Sequence, residues 1–184
     1  INADGNLDFI TGNSFQAPRL YLNNGTDDPF NGVSGTDVST DTNQTFRIVA
    51  GDVDNDGDLD LVTGNFNQTN RLYLNNGTDD PFNGVAGVDI SADAHATRFI
   101  TLSDIDRDGD LDFIAGNMNQ PNRLDLNNGT ATPFNGVTGS NISSDSQATV
   151  ALTVDDVDGD GDLDLIAGNI AQANRLYLNN GTND

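Results

Sequence analysis

Thr45 to Ala50 is a short apolar run, Thr-Phe-Arg-Ile-Val-Ala, whose alternation puts Phe46, Ile48 and Ala50 on one face of a strand. An Asp-rich loop follows. Asp60 to Thr63 predicts a second strand, closed by Gly64-Asn65. A polar turn, Phe66 to Asn70, leads into a third strand at Arg71 to Leu74. Asn76-Gly77 then reads as a hairpin turn, since both residues tolerate positive φ. A weaker fourth strand falls within Gly84 to Ile90. No segment reads as a helix.

The whole order returns every 52 residues. Gly12, Gly64, Gly116 and Gly168 align, each followed by Asn. Arg19, Arg71, Arg123 and Arg175 align, each followed by Leu. Leu-Asn-Asn-Gly-Thr recurs at Leu22, Leu74, Leu126 and Leu178, and Pro-Phe-Asn-Gly-Val at Pro29, Pro81 and Pro133. Four short antiparallel strands per period predict an all-β chain of β-propeller blades. A parallel β-solenoid is the competing repeat fold, but its rungs are shorter and lack repeated Asn-Gly turns. The 184 residues form one array of about 3.5 repeats: a partial first blade at 1–44, blades at 45–96 and 97–148, and a partial last blade at 149–184. With no Met start and no signal segment, the chain reads as a piece of a longer array, part of a seven-bladed ring.

Composition adds chemistry to this frame. All 29 acidic residues are Asp, all seven basic residues are Arg, and the net charge is −22. That charge repels nucleic acid and anionic lipid and makes both poor partners, so no nucleic acid is expected. No apolar run approaches a membrane span, so no membrane insertion is expected. High charge also marks disordered chains. Here, however, 17 of the 29 Asp fall in the repeated loops, with apolar strands between them.

Those loops carry the candidate site. Asp52, Asp54, Asp56, Asp58 and Asp60 alternate through nine residues with Gly57 at the sixth position. Asp104, Asp106, Asp108, Asp110 and Asp112 repeat the pattern with Gly109, and Asp156, Asp158, Asp160, Asp162 and Asp164 with Gly161. Calcium takes six to eight oxygen ligands. Positions 1, 3, 5 and 9 offer carboxylates, position 7 its backbone carbonyl, and the glycine allows a sharp bend. So many carboxylates in nine residues repel one another unless a cation neutralises them. An EF-hand needs a Glu at position 12 and flanking helices. Position 12 here is Thr63, Ala115 or Ala167, and a strand follows. Magnesium prefers to keep several waters, and zinc is disfavoured with no Cys and only His95. Three full Ca2+ sites are therefore expected, with a weak or empty fourth at Asn2, Asp4, Asn6 and Asp8.

An apolar strand, an Asp-x-Asp-x-Asp-Gly-x-x-Asp loop, Asp-Leu-Val-x-Gly and an Arg-Leu-Tyr-Leu-Asn-Asn-Gly strand together resemble the FG-GAP/VCBS repeat family. The resemblance covers essentially the whole chain. It implies calcium-binding propeller blades of the kind that build integrin α-subunits and secreted proteins, with ligands at these same loop positions. The Phe-Gly pair itself is absent, since Arg47 follows Phe46. No integrin-type ligand binding follows from the likeness.

Gln68, Arg71, Gln120 and Arg123 recur at fixed places and are candidates for a polar ligand-binding face. Recurrence in an array more often marks repeat-to-repeat packing. Asp125 replaces the Tyr found at Tyr21, Tyr73 and Tyr177, which points to a partly exposed position or a site unique to that blade. Asn-x-Ser/Thr sequons such as Asn76 coincide with the repeated turns, so turn chemistry accounts for them. With one His and no Lys or Cys, no catalytic set can be assembled. The sequence reads as a non-enzymatic, calcium-binding extracellular propeller segment for adhesion or binding of a protein or carbohydrate ligand. A structural module of a surface filament and an accessory domain of a secreted hydrolase or lyase are the alternatives. Open blade edges invite self-association.

Overall fold

The computed structural model describes residues 1–181, among which there are fourteen strands and no helix. The first sheet holds β1 (Phe9–Thr11), β2 (Arg19–Tyr21) and β3 (Thr36–Asp37). The second holds β4 (Thr45–Gly51), β5 (Asp60–Asn65), β6 (Arg71–Tyr73) and β7 (Val88–Asp89). The third holds β8 (Thr97–Ser103), β9 (Asp112–Asn117), β10 (Arg123–Asp125) and β11 (Ser140–Asn141). The fourth holds β12 (Thr149–Asp155), β13 (Asp164–Asn169) and β14 (Arg175–Tyr177). Each sheet is an antiparallel meander in chain order, a propeller-like blade. In the second, Val62 lies opposite both Val49 and Leu72.

Two local expectations change. The ladder slips between Thr45 and Arg47, as it does between Thr97 and Phe99 and between Thr149 and Ala151. A bulge of this kind inserts one residue and redirects its side chain. Phe46 therefore does not share a face with Ile48. It is 42 % exposed and lies under the Arg98 guanidinium, 4.1 Å from the ring centroid, while Ile48 packs into the core. Asn76-Gly77 is not a tight hairpin either. Strand β6 ends at Tyr73 and β7 begins at Val88, and of the pair only Gly77 has positive φ. The primed hairpin turn with Asn-Gly needs it at both.

The core lies between consecutive sheets rather than within one. Leu20 and Val38 of the first blade meet Leu61, Tyr73 and Phe82 of the second. Val53, Val62, Leu72 and Ile90 of the second meet Ile100, Phe113 and Phe134 of the third. Ile114 of the third meets Leu152, Leu165 and Ala167. The Pro-Phe-Asn-Gly-Val segment thus places Phe82 and Phe134 on the preceding blade. The recurring glycine permits the close approach. A Cβ on Gly64 would lie 2.8 Å from Ile100 Cγ2, and one on Gly116 2.8 Å from Thr149 Cγ2.

Candidate metal centre

Each of the three full Asp loops joins the first two strands of its blade. Its bend is made by main-chain N–H groups turning onto the loop's own carboxylates. Asp52 accepts from the N–H of Asp56 and of Gly57, both at 3.1 Å, and Asp56 Oδ1 accepts from the Asp58 N–H at 2.9 Å. Asp104 Oδ2 takes the Gly109 N–H at 3.1 Å, and Asp156 Oδ2 the Gly161 N–H at 3.0 Å. Gly57, Gly109 and Gly161 have φ of 96°, 96° and 93°. Side chains rarely adopt that conformation. A Cβ at Gly57 or Gly109 would meet nothing within 4 Å, so φ and not crowding selects glycine there.

Position 9 closes the loop from inside the blade. Asp60, Asp112 and Asp164 are each 0 % exposed. Asp60 Oδ2 accepts from the Val53 N–H at 2.9 Å and its Oδ1 from the Asn75 N–H at 2.8 Å. Asp112 does the same with Ile105 and Asn127, and Asp164 with Val157 and Asn179, at the same distances. Burial nevertheless pushes the Asp60 and Asp112 carboxyls up to about 6, against their backbone hydrogen bonds, with nearby loop carboxylates adding.

Among the described residues three groups of carboxylates converge: Asp52, Asp54 and Asp60; Asp104, Asp106 and Asp108; Asp156, Asp158 and Asp164. In each, one oxygen per residue lies within 4.8 Å of the others, and the groups could hold a metal ion. Desolvation raises Asp54 and Asp106, and neighbouring carboxylates raise them further. Asp54 Oδ1 and Asp104 Oδ1 are buried with no hydrogen-bond partner. A cation would satisfy both, and an all-oxygen donor set suits a hard ion. Asp56, Asp58, Asp110, Asp112, Asp160 and Asp162 also lie in the loops but outside these triplets, so position 9 joins the triplet in two loops and not in the middle one. The first loop keeps the frame with only two carboxylates, Asp4 and Asp8. Asp8 Oδ1 takes the Asn23 N–H at 2.9 Å and its Oδ2 the Ile1 amine at 3.1 Å, while Asn6 and Asp4 bond to each other. Asn2 Oδ1 accepts from the Asp4 N–H at 3.4 Å.

Sequence reasoning missed one participant. Asn75, Asn127 and Asn179 precede the Asn-Gly pairs, and the sequence assigns them no role beyond membership of the repeat. Besides donating their main-chain N–H to the position 9 carboxylate, they use Nδ2 to hold the position 8 carbonyls of Leu59, Leu111 and Leu163 at 3.1–3.3 Å. Repetition of the first Asn together with the loop was the available signal.

The four recurrent polar candidates sit away from the metal loops. Gln68 Oε1 accepts from the Gln44 N–H at 2.6 Å and its Nε2 donates to Asn43 at 3.1 Å. Gln120 Oε1 accepts from the Ala96 N–H at 2.7 Å. Arg71 donates to Asp89 and to the Gly87 carbonyl, each at 2.5 Å, and to Asp41 at 3.2 Å. Arg123 donates to Asn141 at 2.8 Å and to the Gly139 carbonyl at 2.5 Å, and pairs with Asp93 at 2.5 Å. Arg71 also lines a cleft of about 1010 Å3 between the first two blades, with Gln16, Arg19, Asp41 and Phe82.

A family model described as an FG-GAP-like repeat matches residues 1–63, 52–115 and 104–167. The chain belongs to the FG-GAP-like repeat family. Each match runs through two consecutive Asp loops, so the family's repeat and the 52-residue period coincide. Cartilage acidic protein 1 of Homo sapiens is 31 % identical over 124 residues, covering 64 % of this chain and 19 % of that protein. The Mus musculus protein of the same name is 34 % identical over 127 residues, again covering 64 % of this chain and 19 % of its own length. The FG-GAP-like match suggests an extracellular adhesion-type repeat module, and the chain spans about a fifth of the length of the curated relatives it matches. No helix among the described residues is long and apolar enough to cross a membrane.

Proposed function

We propose that the chain is a calcium-binding extracellular propeller segment that serves adhesion or ligand binding. The carrying observation is the convergence of three carboxylate triplets, with buried oxygens at Asp54 and Asp104 that have no protein partner. Asp52, Asp54, Asp56 and Asp60 hold one ion, with the Asp58 carbonyl completing the set. Asp104 to Asp112 and Asp156 to Asp164 hold two more in the same way. The bound ions screen the loop carboxylates from one another and tie the first two strands of each blade together. Unfolded loops cannot preform such a site, so binding is linked to folding. The relatives' name, with the words cartilage and acidic, supports an extracellular setting for a chain of charge −22. Calorimetric titration should count three calcium ions, and EGTA should lower Tm by ten degrees or more, about 2.7 kcal/mol per site at a hundredfold excess over Kd. An unchanged Tm in metal-free buffer would overturn the reading.

The partner reading follows from the faces of the flanking blades. Phe9 and Phe30 pair at 6.2 Å, as Phe113 and Phe134 do at 6.4 Å. The second pair is buried on the preceding blade, whereas Phe9 is 53 % and Phe30 41 % exposed. Across the array, Leu176 and Leu178 are 49 % and 56 % exposed, although Leu72, one of their counterparts, is 3 % exposed. These two faces are the halves of the internal blade interface, and each fits a further blade of this kind. Sedimentation of the chain with calcium should show self-association that Phe30→Asp abolishes. A strictly monomeric chain at high concentration would remove this partner.

The cleft at Arg71 favours a polar ligand, a protein carboxylate or a carbohydrate hydroxyl. A glycan array probed with and without calcium checks the carbohydrate arm, and binding lost on Gln16→Ala would place it in that cleft.

A further inference from the structure

The Asp loops touch one another in series. Position 4 of each loop, flanked by two ligand carboxylates, has positive φ: 59° at Asn55, 62° at Arg107 and 79° at Gly159. From there Asn55 Nδ2 donates to Asp110 Oδ1 of the next loop at 2.5 Å. Arg107 Nη1 pairs with Asp162 Oδ1 of the loop after that at 2.8 Å. The Arg107 guanidinium also lies over Gly161, where a Cβ would stand 3.3 Å from Nη2. Asp110 and Asp162 occupy position 7, which supplies its main-chain carbonyl to the proposed ion. Its carboxylate is therefore available to the neighbouring loop.

A second link runs through the interior. Asn127 Nδ2 donates to the Val53 carbonyl of one loop at 2.8 Å and to the Leu111 carbonyl of the next at 3.1 Å. Asn179 bridges Ile105 and Leu163 in the same way, at 3.0 and 3.3 Å. Both loops of each pair are thus gripped by one amide. Ala3, with φ of 58°, holds position 4 in the first loop and has no side-chain donor, so the outer chain of contacts starts at Asn55.

We propose that these contacts make Asn55 and Arg107 positioning residues that couple the three loops, an ion in one raising the affinity of its neighbour. The inference rests on the reading of the loops as calcium sites. An ion held by Asp54 and Asp56, or by Asp106 and Asp108, fixes the backbone on both sides of the position 4 residue. That residue then reaches the next loop already oriented, and its grip on position 7 holds the carbonyl there in place. Linkage makes the effect mutual, so filling the later loop favours the earlier one equally. Arg107 is about half exposed, so the outer link contributes modestly, about fivefold in affinity.

Calcium titration of the full chain by calorimetry tests the coupling. The wild type should bind three ions with a Hill coefficient above 1. The double variant Asn55→Gly, Arg107→Gly should still bind three, with the coefficient nearer 1 and a mean affinity several-fold weaker. Glycine is compatible with this position, as Gly159 occupies it at φ of 79°. Asp106→Asn with Asp108→Asn should remove the middle ion and weaken the remaining two about fivefold, a loss much reduced in the glycine background. Three independent ions in the wild type, or an unaltered isotherm in the glycine variant, would overturn the coupling while leaving the sites in place. A titration with no bound calcium would overturn the reading of the loops themselves, a different result.

Discussion

Tyr73 in the second blade and Asp125 in the third hold the same place in the repeat, and each is 1 % exposed. Around Tyr73 the polar groups are matched. Its hydroxyl donates to Asp41 Oδ2 at 3.0 Å, and Arg71 Nε donates to the same oxygen at 3.2 Å. Around Asp125 they are not. Asp93 is held by Arg123, but Arg123 Nε and Asp125 Oδ1 are buried without partners. Position 9 of the Asp loops shows no such divergence between the two blades. Asp60 and Asp112 each accept a 2.9 Å and a 2.8 Å bond from equivalent N–H groups. The repeat is held strictly where main-chain donors and a charged loop demand one residue. It relaxes at the third strand, where a shorter side chain costs stability and leaves the strand intact.

The largest expected effect tests the half of this comparison that should show no difference. Asp60→Ala and Asp112→Ala each strip the acceptor from two buried N–H groups, at about 1–3 kcal/mol per group. Each should lose about 4 kcal/mol at saturating calcium, the two agreeing within about 1 kcal/mol. Urea midpoints measure it. A markedly smaller loss in one blade would mean that the two position 9 carboxylates are not equivalent after all.

The Asp-loop end was also the legible end. Period, loop and glycine positions can be read from Asp52 to Asp60 because alternating carboxylates and a glycine at a fixed place reflect main-chain geometry. The strands were legible in order, and Val88–Asp89 falls inside the expected window. The bulge at Phe46 was not legible. Phe, Arg and Val stand at the bulged position in successive blades, so no residue type announces it. The Asn-Gly signal named a turn but not its size, since the segment after Tyr73 packs Phe82 on the neighbouring blade before β7 begins. Exchange of Tyr for Asp read as partial exposure or a local site. Burial of both residues shows that substitution in a repeat does not report accessibility.

A smaller effect separates the two blades by pH. Burial pushes the Asp125 carboxyl up to about 6, with Asp93 adding and Arg123 opposing. A raised carboxyl means that the folded chain keeps a proton the unfolded chain has released. Stability from this group is therefore fully present below about 4 and lost as pH rises through about 6, a change of at most about 3 kcal/mol. Asp125→Asn has no such proton to lose. Its stability relative to the wild type should improve from pH 4 to 7 and then level off. Asp60 and Asp112 are common to both chains, so their titration cancels in the difference. Equal pH profiles would show that Asp125 meets a donor in solution that matches its charge.

The smallest effect lies at the tyrosine itself. Burial pushes the Tyr73 hydroxyl up to about 12, so it stays protonated and donating throughout the range in which Asp125 titrates. Tyr73→Phe removes one bond to Asp41, which Arg71 continues to hold at 3.1–3.2 Å. The expected cost is about 1 kcal/mol with no pH dependence between 4 and 8. The ring still fills the space between Leu61 and Phe82. A loss above about 3 kcal/mol in thermal or urea unfolding would mean that the hydroxyl, rather than the ring, secures the third strand. Asp125 would then need a compensating contact in the third blade. A loss near 1 kcal/mol explains instead how the array keeps a blade with that hydroxyl missing: packing against the neighbouring blade carries the strand, and the polar pair only trims its stability.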